Sequence, residues 1–318
     1  YYDVKINKPM QIKTFSVMFH HFHNEKHSRA QGSLGADQFR KMILWLKNKY
    51  NVLGAREYYE KFSSKNISPF DICLSFDDGL KCQYDIAKPI LEEFQLDGFF
   101  FINTGRFTND TDMLEIFRYF RTNFFNGIEN FYSKYFKIIE QQKIISLDEE
   151  WTKFIEANYL KEYEFYSEND RFFRYIRDKS LQKEEYNFSM KLLMNSHSLD
   201  IEKLTAKLYM NEDEIRKLSK NNIVGLHSHT HPTKISKYDK STQESEYIKN
   251  MNTLFAILNK RPKAMSHPCG DYNKNTLEIL LEMGINIGFR DNMEDVFPRT
   301  DLEIARKDHA NILAEMSL

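Results

Sequence analysis

The sequence predicts an α/β protein whose parallel strands form either an open sheet or an irregularly closed (β/α) barrel. Short apolar runs typical of strands alternate with segments whose apolar residues recur every three or four positions, as in helices. We count about seven such runs, and strands that alternate with helices favour a parallel arrangement. Polar clusters follow several of these runs directly, and in (β/α) barrels the chemistry gathers at the strand ends.

The amino-terminal part of the chain contains three predicted strands, at residues 15–19, 72–76 and 99–102. The third is apolar throughout, as expected of a strand that is buried on both faces. An apolar stripe from Phe39 to Tyr50 predicts a helix between the first two strands. A second helix includes residues 86–94, and Pro89 fits the first turn of its straight part.

The middle of the chain, residues 106–218, has a different character. It is helical, charged and rich in aromatic residues, and it contains no proline; segments 113–125 and 131–145 are examples. The sequence therefore predicts a helical insertion that covers the core, forms a lid or binds a partner, including a second copy of the chain. The barrel itself is predicted to comprise residues 12–105 and 219–318.

The carboxyl-terminal part returns to alternation. Its predicted strands and helices are strands 223–226, 264–267, 285–289 and 302–306, and helices 247–258 and 277–283. Gly284 closes the last helix, because glycine readily adopts the backbone conformation of a helix end.

Composition excludes several classes of protein. The 318 residues are 41% hydrophobic, enough for a sizeable core, and the net charge of -1 gives no electrostatic footprint for nucleic acid. No apolar run approaches the roughly 18–20 residues that span a bilayer. The odd number of cysteines favours a reducing, cytoplasmic compartment over secretion, although the chain begins with Tyr1 and a removed leader stays open.

The first polar cluster, Ser-Phe-Asp-Asp-Gly at residues 75–79, follows a buried strand. Two adjacent carboxylates, Asp77 and Asp78, repel each other, and a nearby cation removes that penalty. The alternative is an ordinary turn after a strand.

The second cluster, His-Ser-His-Thr-His-Pro at residues 227–232, also follows a strand. His231 lies four positions after His227, so one turn of chain can direct both imidazoles at one ion. His229 then points elsewhere, to neighbouring groups or to solvent. The alternative is a set of solvated loop histidines.

Two histidines and one aspartate leave coordination positions for water and substrate, which is typical of a catalytic rather than a structural metal site. The same ligand set also describes iron oxygenases. The second carboxylate favours hydrolysis, because it can act as a base on a water held by the metal. A third cluster, at residues 266–273, contains a Pro-x-Gly turn whose backbone N–H groups can serve an oxyanion; alone it is simply a turn.

Together, the three clusters resemble the motifs of the polysaccharide deacetylase family, also called NodB-homology or carbohydrate esterase family 4. Residues 75–79 resemble its Thr/Ser-Phe-Asp-Asp-Gly motif, residues 227–232 its His-Ser/Thr-x-x-His-Pro motif, and residues 266–270 its Arg-x-Pro-Tyr-Gly motif. Residues 17–20 and 77–105 are also similar to the family. The resemblance covers about residues 14–105 and 220–309, and it implies a distorted (β/α)7 barrel of the NodB type.

The resemblance also implies roles. Asp78, His227 and His231 would bind one divalent metal, most often zinc, with Co, Ni, Mn or Fe as alternatives. Asp77 would be the catalytic base, and the N–H of Cys269 would stabilise the oxyanion. Cys269 replaces the family's usual tyrosine.

The chain departs from the family pattern at two further points. Ser266 stands where many members have an arginine that orients the base, and Arg306 or Arg290 is predicted to supply the missing charge. The family's last motif, which supplies a general acid, is not clearly present, and His309 is our candidate; the alternative is a surface histidine.

The resemblance implies a hydrolase that removes acetyl groups from a carbohydrate substrate. The sequence does not distinguish N-acetyl from O-acetyl release. The alternatives are a related amidase that acts on a small non-sugar amide, and a carbohydrate-binding homologue that has lost catalysis.

Overall fold

In a computed structural model, the structure describes residues 14–30, 32–108, 110–161, 166–197, 199–296 and 299–317. Residues 12, 13, 31, 297, 298 and 318 of the predicted barrel lie outside these ranges. The strands are β1 Phe15–Phe19, β2 Phe22–His23, β3 Leu34–Gly35, β4 Asn51–Val52, β5 Asp71–Phe76, β6 Phe99–Ile102, β7 Ile223–Leu226, β8 Ala264–Ser266, β9 Ile287–Phe289 and β10 Ala305–Asp308.

The helices alternate with the strands in each half of the barrel and follow one another between β6 and β7. They are α1 Ala36–Lys49, α2 Ala55–Ser63, α3 Lys88–Glu93, α4 Leu114–Asn123, α5 Ile128–Gln141, α6 Leu147–Ala157, α7 Glu168–Tyr175, α8 Lys183–Asn195, α9 Ile201–Leu208, α10 Glu212–Leu218, α11 Lys240–Leu258, α12 Lys274–Glu282 and α13 His309–Met316. None of the helices in the described part of the chain has the length and apolar composition that spanning a bilayer requires.

The strands form a nearly closed barrel. Their order is β10-β1-β5-β6-β7-β8-β9, and every neighbouring pair is parallel. Short β4 pairs with the start of β5, and β2 pairs with β3 outside the barrel. The predicted (β/α) barrel with irregular closure is therefore confirmed, with helices that follow the strands and pack around them.

The irregular closure lies between β9 and the segment that leads into β10. A single parallel bridge joins Phe289 to Ile304, and the Gly288 N–H donates to the Asp301 carbonyl at 3.0 Å. Gly288 permits this approach, because a Cβ there would lie 2.7 Å from the Cα of Leu302. The predicted last strand, 302–306, begins three residues later, at Ala305, because the preceding residues form this irregular contact.

The strands bury both faces, as their apolar sequences predict. Along β5, Ile72, Leu74 and Phe76 pack in a large cluster that includes residues of the surrounding helices. Cys73, between them, packs in a second cluster with Phe99, Phe101, Ile287 and Phe289, four aromatic or branched residues from β6 and β9. The alternation of side chains along a strand thus separates an outer core from an inner one.

The described residues divide into two compact units, one within residues 14–112 and 206–317 and the other within residues 113–205. The first contains the barrel. The second is helical and is held together by aromatic packing, such as the Phe131, Tyr135 and Phe173 rings with centroids 5.0–5.7 Å apart. The predicted insertion, 106–218, spans this second unit, and its role as a cover, lid or partner-binding region stays a prediction.

Candidate metal centre and active site

The predicted site residues meet at the carboxyl edge of the barrel. Asp77 and Asp78 follow β5 directly, residues 227–231 follow β7, and Ser266 is the last residue of β8. Parallel strands end at the same edge, so polar residues that are distant in sequence become neighbours there.

Asp78, His227 and His231 lie together as the sequence predicts. Their ligand atoms are within 4.8 Å of one another, and Asp78 Oδ1 is 3.3 Å from His227 Nε2 and 3.4 Å from His231 Nε2. Asp78 Oδ1 is buried and has no well-formed hydrogen bond. A buried carboxylate oxygen that faces two imidazole nitrogens is an arrangement that a divalent cation satisfies, so these residues fit a metal of the zinc type.

Nearby oxygen atoms face the Nδ1 atoms of both imidazoles. The buried His227 has its Nδ1 3.0 Å from the Ser266 carbonyl oxygen and 2.7 Å from the Ser266 hydroxyl. His231 Nδ1 lies 3.5 Å from an Asp112 carboxylate oxygen. Because each Nδ1 faces an oxygen, the Nε2 atoms are left to face Asp78, as metal-binding histidines do.

Unusual backbone angles shape the two loops that carry Asp78, His227 and His231. The φ values are 74° at Asp78, 58° at Ser228 and 52° at His231. Left-handed angles are unfavourable for residues with a Cβ and recur at functional sites, where the surrounding structure imposes them. Residues 227–231 form a non-helical loop, and it directs both imidazoles at Asp78 as the four-position spacing predicts.

Asp77 forms a buried ion pair with Arg306. The two guanidinium nitrogens donate to the two carboxylate oxygens at 2.7 Å each, and Ser266 Oγ donates to Oδ1 at 3.2 Å. Burial favours the neutral carboxyl, but the charges of Arg306 and His227 outweigh it and hold the pKa of Asp77 below its ordinary value.

Arg306 and not Arg290 supplies the charge near Ser266. Arg306 is in register with Ser16 of β1, and Ser16 is in register with Cys73 of β5. The backbone of Arg306 is therefore level with Cys73, before the carboxyl end of β5, and its long side chain extends to Asp77. The guanidinium of Arg290 instead donates to the backbone carbonyls of Glu303 and Glu294.

His309, the predicted general acid, has other neighbours. Its Nε2 bonds to the Gly32 carbonyl at 2.7 Å, and its ring stacks on Phe19 with centroids 5.7 Å apart. None of its contacts described by the structure reaches Asp77 or Asp78.

His20 is a site residue to which the sequence assigned no role. It follows β1, its side chain is 29% exposed, and its Nε2 is 4.0 Å from Asp77 Oδ2. The end of β1 is tied to the site because the Asp77 N–H donates to the Phe19 carbonyl at 3.1 Å. A histidine directly after the first strand was the available signal.

Cys269 lies in the turn after β8, with φ of 51° and an exposed side chain. The N–H groups of Gly270 and Asp271 donate to the carbonyls of His267 and Pro268, which fixes the turn. The turn follows Ser266 at the carboxyl end of β8, and its role as an oxyanion-binding turn stays a prediction.

His229 points away from Asp78, as predicted, but it is buried rather than solvated. Its ring nitrogens contact Thr104 Oγ1 at 2.9 Å and Thr108 Oγ1 at 3.2 Å, and Nε2 is 3.3 Å from an Asp110 oxygen. It joins the loop after β7 to the loop after β6.

The fold and the site together define a (β/α) barrel with a one-aspartate, two-histidine cluster and an adjacent base candidate at its carboxyl edge. The model of the polysaccharide deacetylase family matches residues 183–288, which include the second and third motifs. The resemblance to this family is thereby confirmed. No curated protein matches the chain.

Solved structures of deacetylases have a similar fold. The deacetylase PplD of Streptococcus pyogenes, in complex with acetate, is 14% identical with a TM-score of 0.53, covering 96% of this chain and 98% of that one. A de-N-acetylase from Aggregatibacter actinomycetemcomitans is 12% identical (TM-score 0.51; 92% and 93% covered). IcaB from Ammonifex degensii has the same identity and TM-score (12% and 0.51), with 92% and 90% covered. These likenesses show that the barrel is of the NodB type.

Proposed function

We propose that the protein is a metal-dependent hydrolase that removes acetyl groups from N-acetylated sugars of a glycan. The observation that carries the proposal is the different use of two adjacent carboxylates. Asp78 faces two imidazoles, whereas Asp77 is held by Arg306 beside them. The resemblance to polysaccharide deacetylases supports the choice of reaction and substrate class.

Asp78, His227 and His231 would hold one divalent ion, and an oxygen with two imidazole nitrogens suits Zn²⁺, with Co²⁺, Ni²⁺, Mn²⁺ or Fe²⁺ as alternatives. When bound, such an ion acidifies water and polarises a carbonyl oxygen. The protein's own contribution is to hold the three side chains together and to keep a base next to them.

Asp77 is the proposed base. Arg306 fixes both carboxylate oxygens and keeps them ionised, so Asp77 is ready to accept a proton from the water that attacks the acetyl carbonyl carbon. The N–H of Cys269, in the turn after β8, is the proposed donor to the oxyanion.

His20 is the proposed acid in place of His309. It is partly exposed and lies beside Asp77, where its protonated Nε2 can donate to the leaving nitrogen as the carbon–nitrogen bond breaks. The products are acetate and a free amino sugar.

The alternative of an inert homologue drew its support from Ser266 and Cys269. The hydrogen bond from Arg306 to Asp77 supports a substitute for the charge that Ser266 lacks, and the backbone N–H of Cys269 does not depend on its side chain. The small-amide alternative remains a different substrate for the same groups.

The test is acetate release from chitooligosaccharides by protein loaded with Zn²⁺ or Co²⁺, with chelator-treated protein as the control. Release that requires the metal supports the proposal. Oligosaccharide binding without acetate release would favour the inert homologue, and release only from small non-sugar amides would favour the amidase.

A further inference from the structure

The metal-binding loop, residues 227–231, adopts a conformation that its own sequence does not favour. It contains no glycine, yet Ser228 and His231 have left-handed φ values of 58° and 52°. Residues with a Cβ adopt such angles only when surrounding contacts impose them. Helix α11 provides these contacts through two polar side chains.

Asn250 holds the start of the loop. Its Oδ1 accepts the His227 N–H at 3.0 Å, and its Nδ2 donates to the Ile102 carbonyl at 2.9 Å and to Thr104 Oγ1 at 3.0 Å. The side chain is completely buried. One amide group thereby joins the ends of β6 and β7.

Glu246 holds the middle of the loop. It lies four residues before Asn250 and therefore on the same face of α11. One carboxylate oxygen accepts the N–H groups of His229 and Thr230 at 3.1 and 2.8 Å, and the other accepts the Thr230 hydroxyl at 2.9 Å. Hydrogen bonds to an ionised carboxylate are stronger than those between neutral groups.

We infer that Glu246 and Asn250 are positioning residues that preset the distance between His227 and His231. We call this pair the α11 clamp. It fixes three of the backbone N–H groups at residues 227–230, so both imidazoles are held toward Asp78 before an ion arrives. The inference rests on the proposed metal site, because the clamp acts through the ligands and touches neither substrate nor metal.

A clamp that merely stabilises the loop would lower the melting temperature and leave metal binding unchanged. A clamp that positions ligands changes the metal affinity and the ligand field even in fully folded protein. Outer contacts that orient metal ligands typically contribute 10–100-fold to metal affinity.

The experiment compares Glu246→Gln and Asn250→Asp with two matched controls, Glu244→Gln and Asn252→Asp, which are exposed residues of the same helix. The Zn²⁺ dissociation constant is measured by competition with a chromophoric chelator, and the absorption spectrum of the Co²⁺ form is recorded. We expect at least about 10-fold weaker binding and an altered Co²⁺ spectrum in both clamp variants, with both controls within about twofold of the wild type.

Wild-type affinity and spectrum in folded Glu246→Gln would overturn the inference, and this variant decides alone if Asn250→Asp does not fold. A lower melting temperature with unchanged affinity would overturn it equally. If the wild type itself binds no stoichiometric Zn²⁺, the proposed metal site is wrong. If the wild type binds Zn²⁺ and the clamp variants bind it equally well, the site stands and the inference falls.

Discussion

The negative charges of Asp77 and Asp78, the two carboxylates that follow β5, are balanced in different ways. On the base side, defined by Asp77, Arg306 and Ser266, a guanidinium inside the protein holds both carboxylate oxygens. On the metal side, defined by Asp78, His227 and His231, a buried oxygen faces two imidazoles without a well-formed hydrogen bond.

The charge of Asp77 is thus balanced by folding alone, whereas the charge of Asp78 would be balanced by the proposed ion. The base side is fully paired in the protein alone, so its variants should affect folding and catalysis at any metal concentration. The metal side is left open, so its variants should act through metal binding.

The largest expected effect follows from Asp77→Asn. Removing the base should lower kcat by about 10²–10⁴-fold, and the buried Arg306 left without an anion should lower the free energy of unfolding by roughly 3–5 kcal/mol. Acetate release and metal analysis of the same preparation measure the effect. Zn²⁺ should still bind at one ion per chain, and retained turnover would remove Asp77 from the role of base.

Arg306→Met tests the base side from its other partner. We expect a loss of roughly 3–5 kcal/mol in the free energy of unfolding at neutral pH, measured by denaturant titration. Because Arg306 lowers the pKa of Asp77, the pair stabilises the fold above about pH 4, and the difference from wild type should narrow as acid protonates Asp77.

The same variant should also move the acid limb of kcat/KM to higher pH, since Asp77 without Arg306 is protonated more easily. Arg306→Lys, which keeps the charge but not the paired donors, should shift the limb less. An unmoved acid limb in Arg306→Met would contradict this account of the base side.

His231→Ala breaks the metal side. Zn²⁺ at 100 times its dissociation constant should stabilise the wild type by about 2.7 kcal/mol, and this gain should disappear in the variant. Thermal unfolding with and without Zn²⁺ measures the gain, and the chelator-treated proteins are the control. An equal gain in both proteins would show that the ion binds elsewhere.

His20→Gln sharpens the assignment of the acid. We expect kcat to fall by about 10²-fold with unchanged Zn²⁺ affinity. His309→Gln, the matched variant, should change kcat little, because His309 contacts Gly32 and Phe19 instead of the site. The reverse pattern would restore His309 as the acid.

The smallest effect at neutral pH is expected for His267→Gln. Burial lowers the pKa of His267 to about 4, whereas the unfolded value is 6.5. The unfolded chain therefore binds the extra proton first as the pH falls from 6.5 to 4, and the wild type should lose up to about 3 kcal/mol over this range. The variant should lose less in denaturant titrations, since Gln has no such proton; equal losses would exclude His267.

Many of the barrel strands could be predicted from the local sequence alone. The mostly apolar segments Phe15–Phe19, Phe99–Ile102 and Ile223–Leu226 are strands with the predicted bounds. The two-residue strands β2, β3 and β4 carry no periodic signal. The start of β10 depends on how the barrel closes, which is a tertiary contact and not a local preference.

The site residues that belong to sequence motifs could be predicted. The residues that reach the site through strand register could not. Asp77, Asp78, His227 and His231 follow strands, so their meeting was expected. The choice of Arg306 over Arg290 required the alignment of β10 with β1, and the place of His20 required the bond between the ends of β1 and β5. His309 was proposed from its position in the chain, and its contacts are elsewhere.

Gly288 has a consequence for sequence variation far from the ligands. A methyl group at this position would be 2.7 Å from the Cα and carbonyl oxygen of Leu302, so the backbone at 302 would have to move outward. This movement would also displace Arg306, four residues later, and Arg306 would lose its two hydrogen bonds to Asp77. We therefore expect alanine at residue 288 to lower turnover without removing the proposed ion. A single added methyl group at the barrel closure would thus act on catalysis from a distance.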